Sequence, residues 1–282
     1  MPDTTQLPFL LKLIDDDSPT VQDAIIRELD SYGPNLEKEL MSLSYPPDDH
    51  QLSQIQDMVG DYRRCRLKES WQRWMSLKED IYKLEEAFKL ISKFFNGSSY
   101  PVKVDDLLDQ LTFEFNALYD SKNVLDLAHF IFEDKQLKGA DDDYYNYRNS
   151  DLVYVIQNKR GIPISLVCVY ILVGQRLGLH IEGCNYPGHF LAKVYNDNEV
   201  FLVDCFHGGK IMTMEEFSDS YMTSSHSLNR MLNFPPTSSD IIRRVLLNLN
   251  RAYHEINNKK NSEFVLDLLQ NMTGGDEDKG FS

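Results

Sequence analysis

The chain has 282 residues, of which 42% are hydrophobic and 26% are charged, as in ordinary soluble globular proteins. Its 44 acidic and 29 basic residues give a formal net charge of −15, which argues against nucleic acid and against an anionic membrane as partners. Four cysteines are too few for the disulfide framework of a secreted protein of this length.

Two segments, 1–17 and 164–173, bear on the location of the protein. The first lacks a basic region and turns acidic after a short apolar stretch, unlike a signal peptide. The second is the longest apolar run, and it is shorter than the roughly 20 residues that a membrane-spanning helix needs. We therefore expect a cytoplasmic protein.

Helical patterns dominate the first half of the chain. Residues 1–45 predict a hairpin of two helices that ends near Gly33, and its layout is similar to one HEAT-type repeat. Helical patterns continue over 52–139, where Trp71 and Trp74 lie on one apolar face. Such a face is typical of a packed core.

The second half of the chain is more varied. Residues 140–233 predict a polar aromatic loop, a short helix, an apolar helix that begins near Pro163, and two strands. Residues 234–273 predict two closing helices that resemble a tetratricopeptide-type hairpin. The acidic tail 274–282 is expected to be disordered.

The two strand-like runs, 189–195 and 200–206, predict a β-hairpin because turn residues join them. One loop length pairs His189 with Asp204, and another pairs Leu191 with Asp204. Because side chains alternate with a period of two, both registers place His189 and Asp204 on the same face, within reach of each other. The opposite face is apolar throughout.

Ser165 lies in the first turn of the apolar helix, where backbone N–H groups lack partners and the helix dipole is positive. With His189 and Asp204 it supplies the hydroxyl, imidazole and carboxylate of a nucleophile–base–orienter triad. The alternative interpretation is structural: Ser165 satisfies free N–H groups, and His189 and Asp204 form a hydrogen-bonded pair without catalysis.

The run 141–194, which contains RGIPISL and PGHF, and the later FLVDCFHGG resemble the SirB-type branch of the transglutaminase-like superfamily. The resemblance implies an α+β fold. In this fold a buried helix packs on a small antiparallel sheet to form a papain-like core, with helical regions on either side in the chain. It also implies that Ser165, His189 and Asp204 stand where active members of the superfamily carry their catalytic Cys, His and Asp.

A serine at this position changes the chemistry. A helix N-terminus and a nearby imidazolium together lower the pKa of a thiol enough to ionise it, but a hydroxyl titrates far higher. Ser165 would need His189 to remove its proton during attack, and it would also need an oxyanion hole. Asn149 and Gln157 are candidate donors to that hole, and His207 is a candidate substrate contact.

The remaining cysteines and histidines do not predict a metal site. The spacing of Cys184, His189, Cys205 and His207 matches no familiar zinc frame. Cys168, one turn after Ser165, is typical of a core thiol. No phosphate loop or dinucleotide fingerprint is present in the sequence, so no cofactor is expected.

Two functions are compatible with the sequence. The serine favours a non-catalytic protein that keeps the cleft as a surface for a protein or peptide ligand. The alternative is a peptide or amide hydrolase in which Ser165 is the nucleophile, His189 the base and Asp204 the orienting acid.

Overall fold

The computed structural model describes residues 3–120, 122–186, 189–197, 199–221 and 233–273. The tail predicted to be disordered, 274–282, lies outside these residues. The helices are α1 (Leu7–Lys12), α2 (Pro19–Ser31), α3 (Leu36–Met41), α4 (Asp49–Met75), α5 (Ile81–Asn96), α6 (Val104–Leu118), α7 (Val124–His129), α8 (Leu152–Asn158), α9 (Pro163–Arg176), α10 (Met214–Tyr221), α11 (Ser238–Glu255) and α12 (Lys259–Thr273). The strands are β1 (Lys138–Gly139), β2 (Arg160–Gly161), β3 (Ile181–Tyr186), β4 (His189–Asn196), β5 (Glu199–Asp204) and β6 (Lys210–Thr213).

The N-terminal helices enclose a small apolar core of their own. It runs from Leu7 to Val59, so it includes α1 to α3 and the first half of α4. Asp48 begins α4 with a capping box, in which its carboxylate accepts from the Gln51 backbone N (2.8 Å) and the Gln51 side chain accepts from the Asp48 backbone N (3.2 Å). The HEAT-type assignment of residues 1–45 stays a prediction.

Helix α9 is the centre of the main core. Every residue from Pro163 to Gly174 is buried, as expected for a helix that is apolar on all sides. The Tyr170 hydroxyl, at the middle of α9, donates to the backbone carbonyl of Val124 at the start of α7. This core extends from Leu67 to Leu269, so its packing is continuous across the domain boundaries expected near residues 139 and 233.

A four-stranded antiparallel sheet, ordered β3-β4-β5-β6, packs on α9. The predicted hairpin is present as β4 and β5, in the register that opposes Tyr195 to Val200. Strand β3 was not predicted, because Gly183 interrupts its strand-like pattern. A side chain at Gly183 would meet the Phe190 ring at 2.7 Å, so the close approach of that ring explains the glycine. The chain is α+β, as expected.

None of the helices in the described part of the chain has both the length and the apolar character needed to cross a bilayer.

Asp151 joins α8 to α5 within the main core. It caps α8, with Oδ1 accepting from the Val153 backbone N (3.1 Å), and its Oδ2 accepts from the Asn96 side chain of α5 (2.6 Å). The carboxyl is 1% exposed. Burial raises the pKa of Asp151 above its ordinary value, and the hydrogen bond from Asn96 offsets only part of this effect.

The raised pKa of Asp151 predicts a pH-dependent stability. The folded state holds this proton more tightly than the unfolded state. Asp151 therefore stabilises the fold most below its ordinary pKa of 3.8, and this contribution is lost as the pH rises through the folded-state value. Asp151→Asn should flatten that part of the profile in urea unfolding measured across acidic and neutral pH. Asp48→Asn, at the exposed cap of α4, controls for loss of a cap carboxylate, and an unchanged profile in Asp151→Asn would contradict the assignment.

Candidate functional site

The buried carboxylate of Asp204, at the end of β5, holds the turn that follows the strand. Asp204 is 2% exposed. Its Oδ1 accepts from the backbone N of Phe206 and of His207, each at 3.2 Å, and its Oδ2 lies 2.8 Å from Nδ1 of the His207 ring. When the carboxylate is ionised it can only accept hydrogen bonds, and the His207 ring then donates from Nδ1. The hydrogen-bonding partners of the buried Asp204 carboxylate are therefore supplied by the turn that follows its own strand.

This pairing corrects the expectation that Asp204 bonds to His189. Ala192 opposes Val203, so Leu191 comes opposite Asp204 and His189 is diagonal to it on the same face. His207 is nearer because the turn folds back on the carboxylate. Gly208 and Gly209 take φ values of 72° and 75°, which favour glycine, and the Gly209 N donates to the Asp204 carbonyl (2.9 Å).

His189 begins β4 beside two other aromatic rings. Its ring centroid lies 6.2 Å from that of Tyr186, which opposes it on β3, and 6.4 Å from that of His207. Its backbone carbonyl accepts from Arg244 of α11 (2.9 Å). Tyr186, His189, Asp204 and His207 thus form one group at the end of the sheet, which we call the polar cluster. The His207 side chain is the exposed member of the Asp204–His207 pair, at 55%.

Ser165 is buried in the first turn of α9, at 1% exposed. Its Oγ donates to the backbone carbonyl of Ile162 at 3.0 Å. The same hydroxyl faces Gly161, where an added Cβ would lie 3.1 Å from Oγ and 2.9 Å from a methyl of Val155. The hydroxyl is therefore packed against the turn that begins the helix.

Ser165 and the polar cluster belong to different sides of the sheet. The face that joins the core around α9 carries apolar residues at alternate positions: Phe190, Ala192, Val194, Val203 and Cys205. The opposite face carries Leu191 and Leu202, which pack with Phe217 of α10. Alternation with a period of two assigns His189 and Asp204 to this second face. The Ser165 hydroxyl bonds to the Ile162 carbonyl and not to His189.

Neither candidate oxyanion donor is directed at Ser165 by the hydrogen bonds of the structure. The Asn149 amide nitrogen donates to the backbone carbonyls of Asp143 (2.7 Å) and Tyr144 (3.2 Å), so its two hydrogens have partners in the preceding turn. Gln157 is exposed in the last turn of α8.

The buried cysteines are not activated. Burial raises the pKa of Cys168 far above its ordinary value and that of Cys184 to about 12. Cys184 belongs to the face that packs on α10, whereas Cys205 belongs to the face that joins the α9 core. The two thiols of the rejected zinc frame are thus separated by the sheet. Within the described ranges, no group of three or more His, Cys, Asp or Glu side chains is arranged to hold a metal ion.

A buried ion pair that was not predicted lies on the face of the polar cluster. Lys193 of β4 is 5% exposed, and its Nζ lies 2.5 Å from the Glu182 carboxylate of β3, directly opposite. Burial would raise the pKa of Glu182, but hydrogen bonds from Lys193 and His180 outweigh it and lower the pKa. Lys193 is four residues after His189 on the same strand, so the period of two already places both side chains on one face. Its partner Glu182 could not be identified from the sequence, because strand β3 was not predicted.

The family comparison agrees with the architecture. A family model described as "Transglutaminase-like superfamily" matches residues 99–247. The matched segment contains α6 to α10, the whole sheet and the first part of α11.

Individual relatives share part of the chain. It is 30% identical over 164 residues to the UPF0162 protein of Xylella fastidiosa (strain 9a5c), covering 54% of this chain and 58% of that protein. It is 32% identical over 112 residues to F-box only protein 21 of Mus musculus, covering 36% of this chain and 18% of that protein. The chain thus spans less than two thirds of the length of either relative. No solved structure matches it.

The Asp204–His207 pair predicts energetic coupling between these side chains. In a double-mutant cycle of Asp204→Asn and His207→Ala, we expect a coupling free energy of about 0.5–1 kcal/mol, modest because the ring is half exposed. The matched cycle with His189→Ala should show a smaller coupling, since His189 is diagonal to the carboxylate. Urea unfolding measures both cycles. Larger coupling to His189 would restore the pair expected from the sequence.

Proposed function

The chain belongs to the transglutaminase-like superfamily, and we propose that it acts there without catalysis, as a binding module for a protein or peptide. We place it in the SirB-type branch on the motifs RGIPISL (160–166) and PGHF (187–190), with Ser165 in place of the catalytic cysteine. The observation that carries the proposal is the buried Ser165 hydroxyl, which donates to the Ile162 carbonyl at 3.0 Å.

The surroundings of Ser165 support a structural role. A nucleophile needs a base within about 2.6–3.2 Å and a route for substrate. Ser165 is instead 1% exposed, and its proton points to a carbonyl. His189 belongs to the other face of the sheet. The engagement of the hydroxyl with a carbonyl and not with an imidazole supports the structural role.

The absence of a usable thiolate supports the same proposal. Cross-linking by transglutaminase chemistry needs an ionised cysteine. In the described part of the core the cysteines are Cys168, Cys184 and Cys205, all buried, and burial raises the pKa of each. A superfamily core of this kind retains the shape of the fold and can present its surface to a ligand.

The nature of the ligand follows from charge. With a formal net charge of −15, the protein repels nucleic acid, so we propose a protein or peptide as the partner.

Labelling with a fluorophosphonate probe, mapped by mass spectrometry, tests the proposal. We expect no adduct on Ser165 of the folded protein. Ser165→Ala should lower the free energy of unfolding by about 0.5–1.5 kcal/mol, because one buried hydrogen bond is lost. The cost stays modest because the Ile162 carbonyl still accepts from the Leu166 backbone N (3.1 Å). A stoichiometric adduct that Ser165→Ala abolishes would establish the hydrolase alternative instead.

A second variant makes the test independent of probe chemistry. Ser165→Cys introduces a thiol at the position of the superfamily nucleophile. If the site is structural, iodoacetamide should modify the exposed Cys65 while the new thiol stays unreacted in the folded protein. Rapid alkylation of the new thiol at neutral pH would show an activated site and contradict the proposal.

A further inference from the structure

A basic groove lies between α4 and α5, away from the polar cluster. Its cavity has a volume of about 290 Å³. The lining is Tyr62, Arg63, Arg66, Leu67, Ser70, Arg73, Leu90, Lys93, Phe94 and Ser98. The residues from α4 recur at helical spacing, so one face of that long helix forms one wall. We call this cavity the basic groove.

The lining contains four cationic side chains and no acidic one. Arg63 pairs with Asp30 at 2.5 Å, and Arg66 pairs with Glu69 at 3.3 Å on the exposed surface. Two cations are thus left to interact with a ligand, Arg73 and Lys93, both of which are exposed.

Arg73 and Lys93 keep N–H donors that can bind a ligand. The Arg73 guanidinium donates to the Ser70 hydroxyl at 3.3 Å, and Lys93 makes no ion pair with any residue that the structure describes. Nη2 of Arg63 is buried without a hydrogen-bond partner, although Nη1 donates to the Phe95 carbonyl (2.8 Å). The cationic donors of the groove that a ligand can reach are therefore those of the exposed Arg73 and Lys93.

The positive surface continues beyond the basic groove. A second cavity, of about 270 Å³, shares Lys93 and Ser98 with it and adds Lys89, Lys103 and one acidic residue, Asp105. Lys89 is neutralised by Glu85 at 3.0 Å, whereas Lys103 forms no ion pair in the described ranges. The cations without an ion pair among the described residues, Arg73, Lys93 and Lys103, are therefore spread over two adjoining cavities, of which the second also contains the Asp105 carboxylate.

We propose that the basic groove binds an acidic peptide segment of a partner protein. A track of separated cations fits several carboxylates along an extended chain better than one small anion. Leu90 and Phe94 offer apolar surface for the stems of those side chains. The groove opposes the overall charge of −15, so a local attraction would orient an acidic segment that the rest of the surface repels.

The groove lies at residues 62–98, outside the segment 99–247 that matches the superfamily. The inference adds the partner's chemistry to the proposed binding role. It would also hold for an enzyme, because it does not involve Ser165. Failure of the peptide to bind the groove would therefore not contradict the structural role of Ser165. Labelling of Ser165 by the fluorophosphonate probe would likewise not contradict peptide binding at the groove.

Fluorescence anisotropy with a fluorescein-labelled hexaglutamate peptide tests the inference on the full chain. The double variant Arg73→Glu, Lys93→Glu should bind at least about tenfold more weakly, since each change replaces an attraction with a repulsion. Both side chains are exposed, so the fold should persist, and a thermal melt checks this. The control double variant Lys38→Glu, Lys122→Glu makes the same change in net charge at exposed positions outside the groove, and it should bind like the unmodified protein.

Four results would overturn the inference. One is failure of the unmodified protein to bind the peptide, and another is an equal loss in both double variants, which would indicate a bulk charge effect. A third is equal binding of a hexaglutamine peptide. The last is displacement by inorganic phosphate as effective as displacement by unlabelled peptide, which would indicate a site for a free anion.

Discussion

The packing of α9 against one face of the small sheet is the constraint on which the rest of the core depends. The helix is buried from Pro163 to Gly174, so each side of it needs apolar surface. The sheet supplies that surface with a single face, because successive side chains on a strand point to opposite sides. The polar side chains of β4 and β5, such as His189 and Lys193, are therefore directed away from the helix that carries Ser165.

Directed away from α9, these polar groups are satisfied locally. Asp204 is held by the turn that follows its own strand, and Lys193 by the Glu182 carboxylate on the neighbouring strand. Pairing of this kind is what a buried charge requires, since an unpaired one would be strongly destabilising. Asp204, at the position of the orienting acid, thus contributes to the architecture of the sheet and its following turn.

The charge of the molecule is distributed unevenly. Two of the four cationic side chains in the groove, Arg73 and Lys93, have no ion pair among the described residues, so an acidic protein keeps a local attraction for anionic groups at this place. That place is formed by α4 and α5, which belong to the helical region before the superfamily segment. The superfamily core and the binding chemistry proposed for the groove are therefore carried by different parts of one chain that share an apolar core.

Local periodicity was sufficient for much of this protein. The helices at 104–118 and 163–176, the hairpin of β4 and β5, and the shared face of His189 and Asp204 all follow from repeats of 3.6 or two residues along the chain. The motifs around Ser165 also indicated the α+β core. These features depend on neighbours in sequence, which a single sequence contains in full.

Other features required three-dimensional packing. Strand β3 was not predicted, because it contains Gly183, which is unusual within a strand. The glycine is required by the close approach of the Phe190 ring on the next strand, and a local pattern does not show that contact. The ring that reaches Asp204 is His207, since positive φ angles in the following glycines fold the turn back onto the carboxylate. The period of two predicted that His189 and Asp204 share a face. It could not say which face meets Ser165, because that choice depends on where α9 packs against the sheet.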